Sequence, residues 1–145
     1  MSAHSDLNQL AHSRKSKRDR IAQVIMFLLG IATLGAFAQA LSTLGDLGPK
    51  AINIEGWRML AFPAFAGLFF LLAWFPRRMP GLWELLLLNK IAVVLFLLRY
   101  VGAAAAAEGF PTKEVGITIW IDGVLVALTL TSYFLARGWR AWSRQ

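Results

Sequence analysis

The chain has 145 residues, 57% of them hydrophobic and only 16% charged, and it contains no cysteine. A soluble domain of this size is usually ~45–50% apolar and ~25% charged, so the balance points to a membrane protein of one domain rather than a large multi-domain enzyme. The absence of cysteine excludes disulfides, thiolate metal sites and a cysteine nucleophile, and the two histidines, His4 and His12, sit in the polar N-terminal tail, where neither could ligate a haem inside a bilayer.

The formal net charge is +7. Basic residues that bind nucleic acid should line a soluble surface. Here they bracket apolar stretches, where they set topology and meet anionic lipid headgroups. No nucleic-acid partner is expected.

Residues 1–20 form a basic tail, with Arg14, Lys15, Lys17, Arg18 and Arg20 just ahead of the first apolar run. This composition predicts a disordered flank in contact with lipid. Four apolar stretches follow, at about 21–44, 58–75, 82–106 and 115–136. A spanning helix needs ~20 predominantly apolar residues, and an isolated spanning strand would leave its backbone groups unsatisfied in lipid. The prediction is therefore an all-α, polytopic membrane protein: a four-transmembrane-helix bundle over residues 21–137, followed by a basic C-terminus at 138–145.

The first run, Ile21 to Leu44, carries no charge. Ala32, Ala36 and Ala40 recur every four residues, a spacing that allows close helix approach. A cleaved signal peptide ending near Ala38-Gln39-Ala40 is the competing reading, although the apolar run exceeds the usual ~7–15 residues of such a segment. The second run is rich in phenylalanine, with Trp57 and Trp74 near its ends and Pro63 close to its start. Gly48-Pro49, Pro76 to Gly81, and Gly109 with Pro111 mark short links, which make sequential helices antiparallel neighbours.

The third run is the informative one, because it contains Glu84, Lys90 and Arg99. A charge near the bilayer centre costs at least ~2.5–3.5 kcal/mol on insertion scales. Glu84 lies one turn inside the boundary, within reach of Arg77 or Arg78, so a structural ion pair at the interface is expected. Lys90 lies ~12 Å deep, beside Asn89. Arg99 and Asp122, on consecutive antiparallel helices, each lie ~10 Å below the opposite surface, which predicts an ion pair between them. Lys90 and Arg99 are ~180° apart around an ideal helix, so they cannot both face one narrow core. Tyr100, Trp120, Thr129, Thr131 and Tyr133 add hydrogen-bonding capacity.

Ten lysines and arginines (Arg14, Lys15, Lys17, Arg18, Arg20, Arg77, Arg78, Arg137, Arg140, Arg144) fall on one side of this topology, and three (Lys50, Arg58, Lys113) on the other. The positive-inside rule then places both termini in the cytoplasm and the chain in the inner (plasma) membrane. No Gly-rich phosphate loop, zinc-binding His-Glu-x-x-His or nucleophile elbow is present. No metal site is expected, and the enzyme question leans negative.

The layout, together with the Phe75-Pro76-Arg77-Arg78 turn leading into Pro80-Gly81-Leu82-Trp83-Glu84, resembles the DoxX-like group of small four-helix membrane proteins, over about residues 20–137. That resemblance implies an accessory role in quinone-linked redox chemistry of the membrane, without carrying over any catalytic residue. The expected function is binding of a lipid, a quinone or a partner protein within the bilayer at Lys90, Arg99, Asp122, Asn89 and Tyr100. No resident cofactor is expected. The alternative is an oligomeric small-solute transporter or channel using Lys90 and the Arg99–Asp122 pair. Four short helices enclose little space, so a pathway would need a second copy. The expected partners are membrane lipids and either a homo-oligomer or another membrane protein.

Overall fold

The computed structural model describes residues 3–101 and 112–144. All regular structure among the described residues is helical. Helix α1 runs Ala3–Thr43 without a break, so the tail expected to be disordered is a helical continuation of the first apolar run. A 3₁₀ turn, Leu44–Asp46, leads to α2, Pro49–Trp74. Pro49 stands at the start of α2, where its missing N–H costs nothing. Helix α3 spans Leu82–Phe96 and continues as a π-helical turn, Leu97–Val101. Helix α4 spans Thr112–Ala136, and a 3₁₀ segment, Gly138–Arg144, follows it.

Three segments are long and apolar enough to cross a membrane: Lys17–Asp46, Ala51–Trp74 and Gly116–Ala136. They correspond to the first, second and fourth expected spans. The α-helical part of α3 has 15 residues, or ~22 Å, less than a ~30 Å hydrocarbon core. Residues 102–106 of the third expected span, and 107–111 after it, lie outside the described residues.

Helix α1 is the centre of the arrangement. It packs most extensively on α2 and then on α4; α4 packs on α3, while α2 and α3 touch little. The buried cluster comprises Ala22, Met26 and Leu29 of α1, Phe69, Leu72 and Ala73 of α2, Trp83 and Leu86 of α3, and Ala136 of α4. The α1 members recur at i, i+4 and i+7, the spacing of one helix face. Against that face Gly30 admits the Phe70 ring: a methyl group at Gly30 would come within 2.6 Å of it. All these residues belong to the half of the bundle near Asp19, Arg77 and Ala136, called here the basic end.

The opposite faces carry exposed apolar side chains, including Ile21, Leu28 and Ile31 of α1 and Leu85, Leu88 and Leu95 of α3. Such an extensive apolar exterior suits lipid rather than water. Trp57 and Trp74 are 76% and 67% exposed, and their 17-residue separation spans ~26 Å of helix, close to the spacing of two interfacial aromatic belts.

Candidate functional site

Charged and polar side chains gather at two levels. The first is the basic end. The Arg77 guanidinium donates through Nε to the Ala136 carbonyl at 2.7 Å and through Nη2 to the Asp19 carboxylate. One side chain thereby joins the start of the α1 span, the α2–α3 link and the C-terminus of α4. Trp83 Nε1 donates to the Pro76 carbonyl at 2.8 Å, fastening the first turn of α3 to the same link. Gly81 supplies the turn with a φ of 82°, which L side chains rarely adopt.

Glu84 is the second hub of this level. Its Oε1 accepts from Tyr133 Oη at 3.0 Å and from Trp142 Nε1 at 3.3 Å. The expected bridge from Glu84 to Arg77 or Arg78 is therefore corrected. Arg77 turns to Asp19, the one acid in the basic run before the first span, and Arg78 stacks over the Phe75 ring at 5.5 Å. The Arg77 choice has a physical reason. Its fork reaches a carboxylate and a helix-terminal carbonyl together, satisfying an otherwise unpaired α4 acceptor. Tyr133 and Trp142 replace the arginines at Glu84 because the Gly138–Arg144 segment folds back over Gly81, bringing the Trp142 ring within 3.5 Å of a methyl group placed there.

The second level lies deeper. Lys90 Nζ donates to Asp122 Oδ1 at 3.0 Å, and the two side chains are only 14% and 13% exposed. The Lys90 ammonium also lies 5.0 Å from the centre of the Phe65 ring of α2, a cation–π distance. Residues from α2, α3 and α4 thus meet at one point, on the open side of the bundle where α2 and α3 otherwise make little contact.

This finding corrects the expected Arg99–Asp122 pair: the lysine reaches Asp122. Two features account for the difference. Helix α4 begins at Thr112 rather than Val115, which sets Asp122 ~4.5 Å farther from its outer end than expected. Arg99 stands beyond the α-helical part of α3, exposed on the π turn. Asn89 is exposed beside Lys90. The side chain of Tyr100 lies outside the described residues.

Between the two levels runs one stripe of α4. Asp122, Thr129, Ser132 and Tyr133 fall within a ~100° arc at 100° per residue. Thr129 and Ser132 are fully buried, and their hydroxyl oxygens have no hydrogen-bond partner. The exposed Thr131 behaves differently, donating to the Ala127 carbonyl at 2.8 Å; Thr33 on α1 likewise donates to the Leu29 carbonyl at 2.8 Å.

No three acidic or histidine side chains approach closely enough to hold a metal ion among the described residues. Among the described residues, the Lys90–Asp122–Phe65 site offers an ammonium with further N–H donors, a carboxylate whose Oδ1 alone meets the lysine, and an aromatic face. Such a set recognises a polar headgroup that accepts and donates hydrogen bonds at the end of an apolar body. The sequence singles out Lys90 by itself and Asp122 as a partner for Arg99. Sequence reasoning missed Asp19 and Phe65, and it had no signal for Trp142 beyond the composition of an interfacial belt. Comparison with protein-family models, curated proteins and solved structures found no match.

Proposed function

We propose that this chain is a four-helix inner-membrane protein, with both termini in the cytoplasm, that binds an amphipathic molecule of the bilayer at Lys90 and Asp122. The observation that carries this reading is the 3.0 Å Lys90–Asp122 contact beneath the Phe65 ring. Two charges are set among apolar helices at a substantial desolvation cost, while the packing of this bundle needs neither of them: the buried cluster lies on the basic side of the pair.

A carbonyl or phosphoryl oxygen of the ligand would accept from Lys90, and a hydroxyl would donate to Asp122. A lipid and a quinone both meet this requirement, and the DoxX-like resemblance favours the quinone. The weak α2–α3 contact supports access from the lipid side. The cytoplasmic assignment rests on Lys17, Arg18, Arg20, Arg78 and Arg140, all exposed at the basic end.

Native mass spectrometry of the purified protein tests the reading. The wild type should retain a lipid or quinone adduct, and Lys90→Leu/Asp122→Leu should lose it while keeping its helical circular dichroism. Equal retention by the double variant overturns the assignment. Reporter fusions at Gln145 and in the Lys50 link test the orientation, and activity outside the cytoplasm at Gln145 would reverse it. An oligomeric transporter or channel using the same pair is the second reading, supported by the unpartnered hydroxyls of Thr129 and Ser132. Ligand-dependent flux in proteoliposomes would favour it.

A further inference from the structure

Folding gathers arginines at the basic end and leaves several of them without an acid. Two contacts tie the α2–α3 link to the end of α4. Arg77 Nε donates to the Ala136 carbonyl at 2.7 Å. Four residues on, a methyl group placed at Gly81 would stand 3.5 Å from the Trp142 ring. Residues 77–81 and 136–142 therefore run side by side. Between the two ties lie Arg78 on the first segment and Arg137 and Arg140 on the second. Arg78 and Arg140 are exposed, and Arg137 is half-buried.

The acids described at this end are already engaged. Asp19 meets Arg77, and Glu84 accepts from Tyr133 and Trp142. Among the described residues no carboxylate forms an ion pair with Arg78, Arg137 or Arg140. Cations gathered without an acid repel one another, and an anion set among them removes that repulsion. The backbone adds an independent sign. Arg137 has a φ of 53°, in the left-handed region where helix ends favour glycine. Glycine would adopt it without strain, so what the position gains from arginine is the guanidinium.

The surroundings specify the anion. Arg78 lies over the Phe75 ring at 5.5 Å, a contact made by the flat face of a guanidinium, whose N–H edges suit phosphate oxygens. Trp74, Trp139 and Trp142 are exposed at the same end, and the exposed apolar face of α1 begins at Ile21. An anion beside such a surface carries its own apolar chains. We propose that Arg78, Arg137 and Arg140 form a headgroup site for an anionic phospholipid of the adjoining leaflet. Its phosphate sits among the guanidinium groups, and its acyl chains follow the tryptophans into the bilayer. A zwitterionic lipid brings a cation of its own and gains less. This site is independent of the one at Lys90 and Asp122.

Melting of the purified full chain in neutral detergent tests the proposal. Phosphatidylglycerol should raise the melting temperature by about 4 °C or more, and phosphatidylcholine or inorganic phosphate by much less. Arg78→Gln/Arg140→Gln should lose most of that shift. Lys17→Gln/Arg18→Gln removes the same charge from exposed positions on α1 and should keep most of it, as should Lys90→Leu/Asp122→Leu. An equal shift with phosphatidylcholine or with inorganic phosphate overturns the proposal. So does an equal loss in the two glutamine pairs, which would mean attraction by net charge without a site, or loss of the shift in Lys90→Leu/Asp122→Leu. Should Arg78→Gln/Arg140→Gln fail to fold, Arg140→Gln alone and the wild type at high salt decide. Each should show a reduced shift, and an undiminished one in either overturns the proposal.

Discussion

The basic end and the deep ion pair use charge in opposite ways. At the basic end two sets of hydrogen bonds lie close together, Arg77 with Asp19 and the Ala136 carbonyl, and Glu84 with Tyr133 and Trp142. Trp142 is exposed there, so solvent can replace a lost partner at Glu84. At the deeper level Lys90 and Asp122 depend on each other and on one aromatic ring. A network beside water orders loops at little cost, whereas a lone pair among apolar helices is expensive and is hard to account for as scaffolding.

The contrast breaks most readily at the pair. Lys90→Leu or Asp122→Leu alone leaves an uncompensated charge and should lower stability by ~3–5 kcal/mol in detergent unfolding. The double variant should recover most of the loss, because no orphan charge remains. Arg99→Leu combined with Asp122→Leu should show no such recovery. If Arg99 restores stability and Lys90 does not, the pairing is wrong.

Removing packing at the basic end should cost a similar amount for a different reason. Trp83 is buried in the central cluster and hydrogen-bonded to Pro76, so Trp83→Ala should cost ~3–5 kcal/mol through cavity formation. Trp83→Phe, which keeps most of the volume, should cost much less, and equal losses would assign the effect to the hydrogen bond instead.

Polar changes at the same end should be milder. Arg77→Ala removes two bonds from a partly exposed network and should cost ~1–3 kcal/mol. Glu84→Gln should cost no more than ~1 kcal/mol, because an amide oxygen still accepts from Tyr133 and Trp142. A Glu84→Gln loss as large as that of Asp122→Leu would erase the distinction between the two levels. The smallest effect belongs to the exposed Arg58–Glu55 pair at 2.5 Å: such i, i+3 pairs contribute ~0.2–0.5 kcal/mol and weaken with salt. Urea or thermal melts at two ionic strengths check this.

Helix positions were readable because the bilayer demands runs of apolar residues long enough to cross it. Three of the four expected runs coincide with helices of spanning length, and their ends fall within a few residues of Gly48-Pro49, Trp74 and Ala136. Lys90 and Asp122 stood out for the same reason, as charges set within long apolar runs. Continuity of α1 back to Ala3 was not readable, because the polar tail lacks an apolar face to signal it.

By itself, the sequence determined composition, the apolar runs, the basic asymmetry and the place of each charge along its run, all of which are properties of single segments measured along their own axes. Partner choice was left to the tertiary structure. Whether Asp122 meets Lys90 or Arg99 depends on where α4 starts and how α3 is rotated about its axis. Whether Glu84 meets an arginine or Tyr133 depends on the return of the C-terminal segment over Gly81. The pairing of Arg77 with Asp19 requires the α1 span to begin beside the α2–α3 link. A one-dimensional pattern specifies depth to within a helical turn, but azimuth and neighbour order arise only when several helices bury their faces against one another.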